Sequence, residues 1–223
     1  MIIASEPQTS SVMVPSQTPD EPIVFIVDDD ISMREALELL IKRAGWRPQT
    51  FAAARDFLAS PRSPVPCCLV LDVRLPDLNG LELQDCLGSD RRLPIIFITG
   101  YGDVPTSVRA MKAGAVEFLE KPFGHDVLLS AIRQAIERSK TAIHDDAEVR
   151  ALQEAYATLT RREREIMELV VRGQMNKQVA AEFGISVNTV KVHRGRMMRK
   201  MKADSFAELV RQAGRLRITT TDT

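Results

Sequence analysis

The chain has 223 residues and a mass of 24.9 kDa, and its 44% apolar and 27% charged residues exclude a fibrous protein or one disordered throughout. The formal charge is zero, yet residues 1–140 hold 15 basic and 19 acidic side chains and residues 141–223 hold 15 and 11, so a net of −4 precedes a net of +4 and predicts two units of different character. No run reaches the roughly 18 apolar residues of a membrane span, and residues 1–21 lack the Lys or Arg of a signal peptide, so a cytoplasmic protein with no membrane partner is expected.

Residues 1–21 are rich in Ser, Pro, Gln and Thr without periodicity and read as a disordered tail. The apolar strand Ile23 to Val27 stops at Asp28, Asp29 and Asp30, and residues 33–44 form an amphipathic helix ended by Gly45. A short strand near 47–51 and a helix near 53–59 follow. Cys67 to Leu71 is a third strand, closed by Asp72. Cys67, Cys68 and Cys86 have no CxxC spacing and lie in or near apolar segments, so buried free thiols of a reducing compartment are expected rather than disulfides or a zinc site. Pro76 and Gly80 bound a turn before the helix 81–87. The strand Ile95 to Ile98 ends at Thr99, residues 104–112 are helical, and Val116 to Leu119 runs into Lys121-Pro122. The helix 126–139 completes a domain over residues 22–140.

Five near-continuous apolar strands alternating with five helices predict a doubly wound, five-stranded parallel α/β sheet of the flavodoxin-like kind. Right-handed crossovers put every strand's C-terminal end on one edge, where ligands of such sheets bind. Asp28, Asp29, Asp72, Thr99 and Lys121 all fall there. Clustered carboxylates make a hard-oxygen site for Mg²⁺ and repel one another without a cation, while a lysine opposite them could bind a phosphoryl group or pair with Asp72. The GxxxxGK and GxGxxG loops of nucleotide-binding folds are missing.

Residues 23–138 resemble the receiver domain of two-component response regulators through VDDD at 27–30, LVLDVRLPDLNG at 69–80, ITGYGD at 98–103 and MKAGAVEFLEKPF at 111–123. The resemblance implies that Asp72 accepts a phosphoryl group from a sensor histidine kinase. Asp28, Asp29 and Asp72 would hold Mg²⁺ with the Arg74 carbonyl, and Asp30 would be a secondary neighbour. Thr99 would be the switch hydroxyl and Phe118 the switch aromatic. Lys121 would contact the phosphoryl group and precede a cis proline bond. A phosphorylated homodimer through 104–112, 116–119 and 126–139 is implied as well.

Residues 141–157 read as a partly helical linker, residues 158–216 as four helices (near 161–172, 176–183, 187–201 and 205–213), and residues 217–223 as a tail. The segment 186–202 has six basic residues and no acidic one, and a short helix and Gly184 precede it, a pattern that fits a helix-turn-helix or a solvated basic helix. The order LTRREREIMELVVRG at 159–173, NKQVAAEFGIS at 176–186 and TVKVHRGRMMRKM at 189–201 resembles the LuxR/FixJ-type DNA-binding domain. That resemblance implies promoter DNA and RNA polymerase as partners. Lys191, Val192 and Arg194 would approach the major groove, Asn188 and Thr189 the backbone or base edges, and Asn176 and Lys177 phosphate. Arg162 and Arg164 are further phosphate candidates, and His193 is expected to face its own domain. Gly195 replaces a basic residue of some members, which close approach to DNA or to a neighbouring helix would justify. A protein-binding C-terminal domain and a small aspartyl-phosphate phosphatase are the alternatives.

Overall fold

The computed structural model describes residues 21–218 apart from 63, 89 and 101–103. The expected tail over 1–21 therefore falls outside the described residues except at Glu21, and the one over 217–223 falls outside beyond 218. The chain divides into two compact units between Thr141 and Ala142.

In the first unit the strands are β1 (Ile23–Val27), β2 (Arg47–Phe51), β3 (Cys67–Asp72), β4 (Ile95–Thr99) and β5 (Glu117–Glu120). They form one parallel sheet in the order β2-β1-β3-β4-β5. The helices α1 (Ile31–Arg43), α2 (Ala54–Ala59), α3 (Gly80–Leu87), α4 (Val104–Lys112) and α5 (His125–Ala157) connect and follow the strands. Successive strand residues point to opposite faces, so the continuous apolar runs fill two cores. Phe25, Leu69, Leu71 and Phe97 pack with Phe57, Leu83 and Ala110 from α2, α3 and α4. Val24, Ile26, Val70 and Ile98 pack with Leu37 and Ile41 of α1 and Leu128, Ile132 and Ile136 of α5. The edge strand β2 is the least buried and carries Pro48, which an interior strand would not tolerate.

Two polar links fix the frame. Asp77, in the loop after β3, accepts the Ala54 and Arg55 N–H groups at 3.2 and 2.9 Å and so caps α2 from outside. Ser139 of α5, wholly buried, accepts the Cys67 N–H at 3.0 Å and donates to the Arg92 carbonyl at 2.5 Å. Cys67 and Cys68 are buried free thiols as expected, but Cys86 is exposed, because α3 turns Leu81, Leu83 and Gln84 to the core and leaves Cys86 on its outer side. Burial pushes the Cys67 thiol up to about 11, which keeps it protonated and inert.

The helix expected over 126–139 continues to Ala157, so residues 141–157 are helical throughout. No Gly or Pro interrupts 126–157, and Lys140–Glu137 and His144–Glu148 pairs at i,i+3 and i,i+4 spacing sit on the exposed side.

The second unit contains the end of α5 with α6 (Arg161–Val171), α7 (Asn176–Phe183), α8 (Val187–Lys200) and α9 (Phe206–Arg215). Ile166, Met167, Val170, Val179, Val190, Met197 and Leu209 form its core. The starts of α6, α8 and α9 are each capped by a local side chain. Thr160 and Glu163 make a reciprocal capping box, and Ser186 and Ser205 accept the Thr189 and Glu208 N–H groups. Gly184 closes α7 at φ +62°, a conformation open to glycine at little cost, and so permits the tight α7–α8 turn. No helix among the described residues is long and apolar enough to cross a membrane.

Candidate functional site

The parallel register gathers the predicted residues on one edge. Asp28 follows β1, Asp72 ends β3, Thr99 ends β4 and Lys121 follows β5. The Lys121 N–H donates to the Thr99 carbonyl at 2.7 Å, which fixes where the lysine leaves the sheet. Its Nζ then donates to Asp28 Oδ2 at 2.8 Å and to Asp72 Oδ1 at 2.9 Å. Asp28 Oδ1 accepts the Asp30 N–H, and Asp72 Oδ2 accepts the Arg74 N–H at 2.8 Å. The Lys121-Pro122 bond is cis, as the resemblance implied.

The two carboxylates are nearly inaccessible, with side-chain exposures of 1% for Asp28 and 8% for Asp72, against 20% for Lys121. Burial pushes the Asp72 carboxyl up, and the bond and charge of Lys121 reverse only part of that rise. Burial works against the Lys121 ammonium, but its bonds to Asp28 and Asp72 outweigh it and hold the ammonium above its ordinary value. The resting centre is thus a lysine shared by two desolvated carboxylates.

Asp29 stands exposed beside them, and no hydrogen bond ties it to either. Asp30 caps α1 by accepting the Ser32 and Met33 N–H groups, the helix-side role expected of it. Among the described residues no three His, Cys, Asp or Glu side chains cluster closely enough to make a metal site by themselves. The donor set still fits Mg²⁺, which is bound through one or two carboxylates plus carbonyl and water oxygens. Thr99 is buried at 1% exposure, and the half-buried Phe118 packs against Phe97 with ring centroids 6.1 Å apart.

Gly80 is a site residue that sequence reasoning took only for a turn boundary. A Cβ there would lie 2.5 Å from the Asp72 carbonyl oxygen, 3.1 Å from Val73 Cα and 3.3 Å from the Phe97 ring. Only glycine lets α3 start this close behind Asp72. The Gly in the turn was visible, but its contact partner was not.

In the second unit α7 and α8 form the expected helix-turn-helix. Lys177 and Lys191 are exposed and form no ion pair or hydrogen bond among the described residues, and Asn188 and Val192 are exposed as well. Thr189 shares its hydroxyl with Ser186 at 2.8 Å. Arg194 is half-buried and donates to Asn176 Oδ1 at 2.6 Å, so two predicted DNA contacts meet each other. Arg162 stacks over Phe183 at 4.1 Å, and Arg164 donates to the Ala157 carbonyl, so both are engaged within the unit. His193 is half-buried with Nδ1 inaccessible and without a hydrogen-bond partner. Outside its own stretch of α8, no atom of the described residues lies within 4 Å of a Cβ built on Gly195, so no neighbouring helix among them demands the glycine.

A lysine-bridged pair of carboxylates at the C-terminal edge of a five-stranded parallel sheet, followed by a helix-turn-helix, defines a receiver joined to a DNA-binding unit. The comparisons agree. A family model described as "Response regulator receiver domain" matches residues 24–133, and one described as "Bacterial regulatory proteins, luxR family" matches residues 157–213. The chain is 48% identical to Nodulation protein W of Bradyrhizobium diazoefficiens over 90% of its own length and 89% of that protein's. It is 43% identical to the response regulator protein TodT of Pseudomonas putida, with 87% and 86% covered. Identity to the transcriptional regulatory protein FixJ of B. diazoefficiens is 41%, with 86% and 94% covered. Among solved structures, the response regulator StyR superposes with a TM-score of 0.76 at 45% identity, covering 87% of this chain and 98% of that one. This chain belongs to the response regulators that join a receiver domain to a LuxR-family DNA-binding domain. It is a two-component transcription regulator, and a histidine kinase and DNA are its partners.

Proposed function

We propose that Asp72 is the phosphoryl acceptor and that phosphorylation controls DNA binding by α7 and α8, most simply to activate transcription with RNA polymerase. The observation that carries this reading is the shared lysine. Lys121 holds Asp28 and Asp72 together in a desolvated pocket, where an ammonium counts for far more than in water. An Asp72 oxygen attacks the phosphorus of the kinase's phosphohistidine, a P–O bond forms, and the P–N electron pair returns to the imidazole. Lys121 then has a phosphoryl oxygen to bond in place of a carboxylate. Asp28, Asp29, Asp72 and the Arg74 carbonyl would hold Mg²⁺, which when bound neutralises charge on the transferring group.

Thr99 and Phe118 carry the change outward, since Thr99 ends β4 at this edge and Phe118 lies one strand further on. The surface they reach includes Val104, Val108 and Met111, an exposed apolar row on α4 suited to a second copy of the chain. In the DNA-binding unit, Lys191, Val192, Asn188 and Thr189 face the groove, and Lys177, at the start of α7, meets phosphate. The acceptor turns over no external substrate; the protein is a phosphorylated switch that loses its phosphoryl group slowly. The domains run over 22–140 and 158–216, and the protein acts in the cytoplasm.

Acetyl phosphate with Mg²⁺ should add one phosphoryl group by intact mass, and neither Asp72→Asn nor chelated wild-type protein should gain it. Equal labelling of Asp72→Asn would overturn the assignment.

A further inference from the structure

Asn176 and Arg194, both expected from sequence at the DNA, contact each other in this structure. Arg194 lies two turns into α8. Its Nη1 donates to Oδ1 of Asn176, the first residue of α7, at 2.6 Å. Its guanidinium also lies over the ring of Phe206, the first residue of α9, at 5.4 Å from the centroid. One side chain thus joins the starts of two other helices. A planar guanidinium can bond through its edge and stack on its face at once, which an ammonium cannot do.

The position of this link gives it a task. The turn at Gly184 joins the end of α7 to the start of α8. The Arg194–Asn176 bond joins the opposite end of α7 to the middle of α8. Two attachments fix the angle between the helices where one would leave it free to vary. Phe206 is 41% exposed, so its ring is not held by the core alone, and the stacked guanidinium covers part of it.

We infer that Arg194 is a positioning residue, a brace held by Asn176 and Phe206 that fixes the presentation of α8, and that it does not read bases or neutralise a phosphate. The inference rests on the helix-turn-helix reading above. If the brace matters, affinity for a selected site depends on the pair as a unit. A base or phosphate contact would depend on Arg194 and Asn176 separately, and a phosphate contact would survive replacement by lysine.

The test uses the full-length phosphorylated protein and its Asn176→Ala, Arg194→Lys, Asn176→Ala/Arg194→Lys and Phe206→Leu variants. Binding to a selected site is titrated at several salt concentrations. Arg194→Lys should lose about tenfold in site affinity with the logarithmic salt slope unchanged. Asn176→Ala should lose a similar factor, and the double variant should lose no more than either single, because the interaction is already gone. Phe206→Leu should lose affinity in the same direction. Wild-type binding by Arg194→Lys would overturn the brace, since charge alone would then suffice. So would single losses that multiply in the double variant, to about a hundredfold for two losses of about tenfold each. Should Arg194→Lys fail to fold, a folded Asn176→Ala variant with wild-type affinity overturns the inference by itself. A wild-type protein without salt-dependent DNA binding would instead reject the helix-turn-helix reading.

Discussion

Replacing Gly80 by alanine tests how tightly the phosphoacceptor is held. The new methyl would sit 2.5 Å from the Asp72 carbonyl oxygen, about 0.9 Å inside ordinary contact. Its neighbours are main chain and a core ring, and the Gly80 N–H is also bonded to the Val73 carbonyl at 2.9 Å. Neither α3 nor β3 can yield alone, so the displacement is shared and Asp72 moves with it. Overpacking of this size costs about 1–3 kcal/mol, and the better helix propensity of alanine returns at most about 1 kcal/mol. The expected result is a thermal midpoint lower by about 4–10 °C. Displacing a reacting group by roughly half to one ångström should slow labelling by acetyl phosphate about 10- to 100-fold. Calorimetry and a time course of intact mass would measure both. A Gly80→Ala protein with wild-type midpoint and labelling rate would refute the claim that this contact sets the position of Asp72.

Gly195→Ala is the converse, because among the described residues nothing outside its own stretch of α8 lies near its Cβ; it should stabilise the second unit by about 1 kcal/mol in urea titrations. Lys121→Met leaves two buried carboxylates without their counter-charge, so it should cost about 3 kcal/mol in chelator, and added Mg²⁺ should return part of that. Glu163 is 2% exposed and is bonded by Lys200 at 2.7 Å and by the Thr160 N–H at 2.8 Å. Burial raises its carboxyl, but those bonds outweigh it and hold it below the ordinary range. Its contribution is therefore complete above the ordinary Glu value, near 4.3, and is lost as pH falls through the lower folded value. Lys200→Met should remove about 2 kcal/mol at neutral pH and flatten that acid-side loss, as denaturation at several pH values would show. Lys177→Ala should lower the salt slope by about 1 on specific and random DNA alike, whereas Lys191→Ala should cost about 1–3 kcal/mol on the selected site and less on random DNA.

Much of this was legible in sequence because strand burial on both faces leaves a plain mark. The runs IVFIV, CCLVL and IIFI admit few other structures, and acidic, hydroxyl and basic residues at their ends converge once the strands are parallel. The four helices of the second unit were readable near their observed starts, because each apolar-periodic run is set off by a short polar or glycine-containing turn. What stayed hidden depends on contacts far apart in the chain. Asn176 and Arg194 are 18 positions apart, and nothing in their spacing says that they bond each other. The Asp77 cap on α2 reaches back across 22 residues. The length of α5 was missed because its polar stretch after 140 resembles a linker in composition, although it contains no residue that breaks a helix.

The buried Ser139 hydroxyl divides α5 within the first unit into a held part and a yielding part. Bonded to the start of β3 and to the segment before β4, it resists any turn or slide of α5 there, because such a movement would strand the buried Cys67 N–H. Among the described residues no such side-chain bond holds the first turn of α5, which follows Lys121 by four residues. A disturbance at the carboxylate edge that tilted the near end would have to do so against the packing of Leu128 and Ile132, with the serine as its fulcrum. Leverage along the helix is therefore set by one hydroxyl at the opposite rim of the sheet, and a switch working through α5 would move the face near Lys121 while leaving the far rim still.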